Sequence, residues 1–155
     1  MILALAERYL DYINIEIFAE IVKIRSAKSQ VPVCLHLDHA YNLKSITAAI
    51  NSGFSSVMYD GSQLPFEENV RQTKKIVELA HKAGVSVEAE LGSIARGEYS
   101  DEEDGDHVLT DPKLAKYFVE QTNIDFLAPA IGTFHGMYKE DPVIDLKRLD
   151  EIHTS

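Results

Sequence analysis

Five ionisable residues stand where apolar runs end: Asp38 and His39 after Val33–Leu37, Asp60 after Val57-Met58-Tyr59, Glu90 inside Val85–Leu91, and His135 four residues past Ile131. Imidazoles with carboxylates suit Zn²⁺, whose catalytic sites take three protein ligands and keep a position open for substrate or water. His39 and His135 supply two nitrogens. Neutral imidazole leaves most of the ion's positive charge in place, as an electrophilic role requires. The single cysteine, Cys34, can build neither a disulfide framework nor a thiolate metal site, so any metal centre falls to His and carboxylates.

Short β-branched runs alternate with longer stretches of helical period along the whole chain, with no Ser/Gly linker, repeat or low-complexity block. Ile2 to Ala6 reads as a strand. Asn14 caps a helix whose apolar stripe is Ile17, Phe18, Ile21 and Ile24. Val33 to Leu37 is the second strand, and Asn42 caps a helix carrying Ile46, Ala49 and Ile50 that Gly53 closes before the strand at Val57. Pro65 opens a long helix with the stripe Phe66, Val70, Val77 and Ala80, stopped by Gly84, and Val85 to Leu91 follows as a strand. Asp111-Pro112 starts another helix, Phe126 to Ile131 forms the fifth strand, and Asp145 caps a last helix through Leu146, Leu149 and Ile152.

Alternation along Val33 to Asp38 sends Val33, Leu35 and Leu37 to one face and Cys34, His36 and Asp38 to the other. The same parity groups Ser86, Glu88 and Glu90 opposite Val85, Val87, Ala89 and Leu91. Five strand–helix units in 155 residues average 31 per unit, and eight such units approach the roughly 250 residues of a (β/α)₈ TIM barrel. In that α/β fold the C-terminal strand ends converge on one rim, where active sites lie. A doubly wound open sheet is the competing architecture, but no glycine-rich phosphate loop follows the first strands. Any one of these residues alone has an ordinary reading: a hydrogen-bonded histidine, Asp60 as a turn former in Asp-Gly-Ser, Glu88 and Glu90 on an exposed edge. Buried ionisable groups are costly unless paired or metal-bound, so the combination carries the signal. His36, His81, His107 and His153 read as structural or surface residues.

The composition, 45% hydrophobic and 26% charged, is that of a soluble globular domain, and a single domain over 1–155 is expected. A net charge of −10 offers no footprint for a nucleic-acid backbone or an anionic membrane. No apolar run approaches the 18 or so residues of a membrane span, and a basic n-region with a cleavage site is absent, so a cytoplasmic location is expected.

The stretches Val33-Cys34-Leu35-His36-Leu37-Asp38-His39, Val57-Met58-Tyr59-Asp60-Gly61-Ser62, Val87-Glu88-Ala89-Glu90-Leu91-Gly92 and Ala130-Ile131-Gly132-Thr133-Phe134-His135-Gly136 together resemble the class II, zinc-dependent fructose-bisphosphate aldolases. The likeness runs from about Ile2 to Ile152 and takes in the subgroup containing the tagatose-bisphosphate aldolases. It implies a TIM barrel of which this chain covers strands two to six. The reaction implied is reversible cleavage of a ketose 1,6-bisphosphate, fructose or tagatose, into dihydroxyacetone phosphate and glyceraldehyde 3-phosphate. The resemblance makes His39 and His135 zinc ligands, and Asp60 and Glu90 an alternative metal position or a support to the first. Asp38 becomes the acid/base at the C4 hydroxyl, and Glu98 the residue that exchanges the proton on the dihydroxyacetone carbon. Gly136 lets the chain approach the dihydroxyacetone phosphate portion closely. His39 and His135 should then lie within about 8 Å of each other, with Asp60 and Glu90 nearby.

Departures accompany the likeness. Ala95-Arg96 stands where the family usually has a Gly-Gly pair, and six acids fall between Glu98 and Asp106. The family's third zinc histidine, its phosphate-binding segment and its first strand have no counterpart here. A chain with two of three ligands and no phosphate clamp is expected to turn over at no more than a trace by itself, and the full-length family implies a homo-oligomer, dimer or tetramer. The competing functional readings are a degenerate half-barrel serving as a binding or assembly module, and a different metal-dependent barrel lyase or epimerase.

Overall fold

The computed structural model describes residues 1–96, 108–138 and 141–154. Five strand–helix units follow one another: β1 (Ile2–Ala6) and α1 (Ile15–Ser26), β2 (Cys34–Ala40) and α2 (Leu43–Ser52), β3 (Ser56–Tyr59) and α3 (Phe66–Lys82), β4 (Ser86–Leu91) and α4 (Pro112–Thr122), and β6 (Phe126–Pro129) with α5 (Leu146–Thr154). Two short strands, β5 (Ala95–Arg96) and β7 (Phe134–His135), pair in parallel beyond the ends of β4 and β6. The helix starts are set by side chains the sequence marks out. Asn14 accepts from Ile17 N, Asn42 from Ser45 N, and Asp111 from Lys113 N and Leu114 N.

The main sheet is parallel and runs β1-β2-β3-β4-β6, in the order of the chain. One parity of every strand faces the helices. Leu5, Leu35, Leu37, Val57, Tyr59 and Val87 pack with Ala19, Val22, Ile46, Ala49, Ile76, Val77 and Ala80, while Ala89 and Leu91 meet Ala115 and Phe118. Because successive helices pack on this one face and the strand order never reverses, the sheet is singly wound, unlike the doubly wound alternative. The opposite parity, carrying His36, Asp38, Ser56, Glu88 and Glu90, forms a second face that these helices leave open.

Three expectations change. The α1 stripe is wrong: Ile17, Ile21 and Ile24 are 63%, 55% and 59% exposed, whereas Ile15, Phe18, Ala19 and Val22 pack inward. Among the described residues α2 is the helix that packs beside α1, and the apolar width of α1 exceeds what this sheet and α2 cover. In α5, likewise, Ile152 packs against the second cluster while Leu146 stays 68% exposed. The fifth strand stops at Pro129 instead of Ile131: Ala130 N divides its hydrogen bond between Leu91 O on β4 at 3.3 Å and Thr110 Oγ1 at 2.8 Å, and the ladder ends there.

Candidate metal centre

Strict alternation would send residue 39 with Leu37 into the helical face. Instead the β2–β3 register shifts between Leu37 and Ala40, and His39 takes φ 44°, a left-handed backbone that non-glycine residues rarely adopt. Such a conformation costs on the order of 1–3 kcal/mol and persists where surrounding contacts impose it. Here it turns the imidazole toward Glu90, which parity places on the open face.

The contact that holds the ring comes from the next strand. Asp60 N donates to Ala40 O at 2.9 Å, continuing the β2–β3 pairing past Tyr59. The Asp60 carboxylate then receives His39 Nδ1 on Oδ2 at 2.9 Å and Ser62 N on Oδ1 at 3.0 Å. Burial by itself would raise the pKa of Asp60, but the hydrogen bonds from His39 and Ser62 outweigh it and hold the group below the ordinary carboxylate value. A carboxylate on Nδ1 keeps the ring proton there and the lone pair on Nε2, the form in which imidazole ligates a cation.

Glu90, 3% exposed, brings Oε2 within 3.8 Å of His39 Nδ1. His135 arrives from β7 after the turn at Gly132, and its ring centroid lies 5.1 Å from that of His39 at an interplanar angle of 75°. One donor atom each from His39, Glu90 and His135 fall within 4.8 Å of one another. Two imidazoles and a carboxylate at that spacing are a donor set for a divalent transition metal. Asp60 stands behind His39 as the group that orients it. Asp38 lies beside the cluster, half-buried on the open face, with Oδ1 3.8 Å from His36 Nε2. Gly136 follows His135 with φ 88° and is exposed. Glu98 and His107 lie outside the described residues.

Sequence reasoning passed over three residues that shape this rim. His36, 7% exposed, bonds Ser56 Oγ through Nδ1 at 2.9 Å and places Nε2 3.5 Å from Glu88 Oε2. Burial lowers its pKa against the opposing pull of Glu88 and Asp38. Its parity with Asp38 was the available signal. Thr110, 1% exposed, donates from Oγ1 to Leu91 O and accepts Ala130 N, so it joins the exits of β4 and β6 on the route from Glu90 to His135. The third, Asn69, lies on the buried face of α3.

A singly wound parallel sheet with a His/Glu/His cluster at its C-terminal rim defines an α/β protein of the strand–helix repeat class with a candidate metal site. Residues 1–155 match the family model "Fructose-bisphosphate aldolase class-II" throughout, and the chain belongs to that family. It is 50% identical over 125 residues to a fructose-bisphosphate aldolase of Staphylococcus aureus (strain Mu50), covering 81% of this chain and 43% of that one. A fructose-bisphosphate aldolase of Helicobacter pylori (strain J99) is 44% identical over 153 residues, covering 95% and 49%. Among solved structures, the YdjI aldolase from Escherichia coli K12 superposes with a TM-score of 0.84 at 33% identity, over 99% of this chain and 53% of that one. The fructose-bisphosphate aldolase of Campylobacter jejuni shares the fold with a TM-score of 0.76 at 23% identity, over 99% and 52%. The chain thus spans about half the length of the relatives it matches. No helix among the described residues is long and apolar enough to cross a membrane.

Proposed function

We propose that residues 1–155 form one domain portion, strands two to six of a (β/α)₈ barrel, and carry the metal-binding and proton-transfer side of a cytoplasmic, zinc-dependent aldolase acting on a ketose 1,6-bisphosphate. The observation that carries this reading is the convergence of His39, Glu90 and His135 within 4.8 Å at one rim, with Asp38 adjoining His39. The donor set fits Zn²⁺, which prefers imidazole and carboxylate in four-coordinate catalytic sites. When bound there, the ion supplies Lewis-acid polarisation of the C2 carbonyl, against the charge left when C3–C4 breaks.

The remaining work falls to side chains. Asp60 holds the His39 ring in its ligating form. Cleavage releases the proton of the C4 hydroxyl, and Asp38 takes it; in condensation Asp38 returns it. Gly136, with its left-handed backbone and no side chain, admits the dihydroxyacetone phosphate portion of the substrate next to His135. Glu98 exchanges the proton on the dihydroxyacetone carbon. The open edges of β1 and β6 and the exposed apolar faces of α1 and α5 support closure of the barrel by further strand–helix units, and the complete enzyme forms a homo-oligomer. Fructose and tagatose bisphosphate, which differ only at C4, are both candidate substrates.

The test is a chimaera in which the rest of the barrel comes from the Staphylococcus aureus relative. Zinc-loaded chimaera should cleave fructose or tagatose 1,6-bisphosphate in a coupled assay. A folded chimaera that binds zinc and cleaves neither sugar would overturn the proposal.

A further inference from the structure

The two acids that flank His39 are joined by a residue that ligates nothing. Asn69, in the first turns of α3 and 2% exposed, donates from Nδ2 to the carbonyl oxygen of Glu90 at 3.1 Å and accepts from Thr73 Oγ1 at 3.0 Å. Pairing between β3 and β4 ends at Tyr59 and Ala89. Beyond that point no β3 residue is in register with Glu90, and the Asn69 amide takes the place of a strand. The same amide lies against the turn that carries Asp60. A Cβ on Gly61 would come 2.8 Å from Asn69 Cγ and closer still to its Oδ1, so only glycine permits the approach.

Packing does not account for an amide here. Asn69 and Thr73 sit among Phe66, Val70, Ile76 and Val77 on the inward side of α3, where apolar side chains would avoid the cost of burying polar atoms. What the amide supplies is a hydrogen bond to the backbone of Glu90 from a side chain that also abuts Gly61 in the Asp60 turn, which fixes the spacing of the two. We propose that Asn69 is the positioning residue of the metal centre, setting the gap between the Asp60 turn and Glu90 so that His39 and Glu90 meet His135 at ligating distance. This rests on the metal centre proposed above. The Thr73 hydroxyl orients the amide by donating to Oδ1, which leaves Nδ2 aimed at Glu90.

Titration of Co²⁺ into this chain, followed by visible absorption, tests the inference, with thermal unfolding of the metal-free proteins as a separate reading. Asn69→Ala and Asn69→Leu should bind Co²⁺ about 10- to 100-fold more weakly than wild type, the usual effect of losing an outer partner of a metal site. Thr73→Val should weaken binding in the same direction, and Thr73→Ser, which keeps the hydroxyl, should restore it. Ile76→Val, on the same helix, should lower the melting temperature without moving the Co²⁺ constant. Constants for the Asn69 variants within twofold of wild type overturn the inference. So does an Ile76→Val variant that loses cobalt as Asn69→Ala does, since affinity would then only track stability. If the Asn69 variants fail to fold, equal constants for Thr73→Val and Thr73→Ser overturn it. A folded wild type that binds no Co²⁺ refutes the metal centre itself, whereas a wild type that binds beside unmoved Asn69 variants refutes the positioning role alone.

Discussion

Changing Asp60 to Asn exchanges one oxygen for an NH₂ in a side chain that is 8% exposed. In the native site Oδ2 accepts from His39 Nδ1 at 2.9 Å and Oδ1 accepts from Ser62 N at 3.0 Å. Asparagine keeps the Ser62 contact through its own oxygen, which turns its NH₂ toward His39. A donor then faces Nδ1, the ring proton moves to Nε2, and Nε2 loses the lone pair with which it ligates. Outer partners of metal-bound imidazole typically contribute 10- to 100-fold in affinity, about 1.4 to 2.8 kcal/mol. A hydrogen bond to a charged group is itself worth about 1.5–3 kcal/mol, so two independent scales agree. Folding should weaken as well, because the lowered pKa of Asp60 means that its ionised form, held by His39 and Ser62, stabilises the folded chain at neutral pH. Zinc titration calorimetry at neutral pH, in the absence of denaturant where the variant is folded, should therefore show a 10- to 100-fold weaker constant for Asp60→Asn. Equal zinc constants would refute the claim that Asp60 sets the imidazole's protonated nitrogen.

In a completed barrel, Asp38→Ala should lower kcat by about 10²- to 10⁴-fold while zinc content is kept, and His39→Ala should lose zinc and activity together; loss of metal in Asp38→Ala, measured by elemental analysis, would contradict these roles. The isolated chain, assayed with fructose 1,6-bisphosphate and zinc, should show no more than trace turnover, and a rate near about 1 s⁻¹ would contradict the partial-barrel reading. Gly92→Ala should destabilise by about 2–4 kcal/mol in urea unfolding, because φ is +86° and a Cβ would lie 2.6 Å from Val108 O and 2.8 Å from Ala130 Cβ. Burial opposes the charge on Asp125, but bonds from Val87 N at 2.7 Å and His81 Nε2 at 2.9 Å hold its pKa below the ordinary value. Its contribution is complete above the unfolded pKa of about 4 and is lost as pH falls through the lower folded value, so wild-type and Asp125→Asn urea midpoints should converge below about pH 4 and separate above it.

The five strands of the main sheet and the helix starts were legible because each depends on a few neighbouring residues, whereas the short pair β5 and β7 was not read. Alternation fixed which side of β2 and β4 carries Asp38, Glu88 and Glu90, and the caps at Asn14, Asn42 and Asp111 needed only one side chain and the amides two or three residues on. Burial on a helix face is another matter, since it depends on what lies opposite. Periodicity marks Ile17, Ile21 and Ile24 as apolar but cannot say that this sheet gives them no partner. The orientation of His39 was hidden for a different reason, a backbone reversal that alternation contradicts and only the surrounding contacts maintain. Asn69 left a trace that could have been followed: a polar residue three positions past Phe66 and, with Thr73, inside an apolar stripe is paying a cost for which packing gives no return.

The central claim is that His39, Glu90 and His135 together hold a divalent ion, and X-ray absorption of the zinc-loaded chain reads that ligand shell directly. The expected result is a nitrogen and oxygen shell near about 2.0–2.1 Å with scattering from two imidazole rings, and no such shell in His39→Ala or His135→Ala at the zinc concentration that loads the wild type. A sulfur shell near about 2.3 Å, drawn from Cys34, or a shell without imidazole scattering, would contradict it.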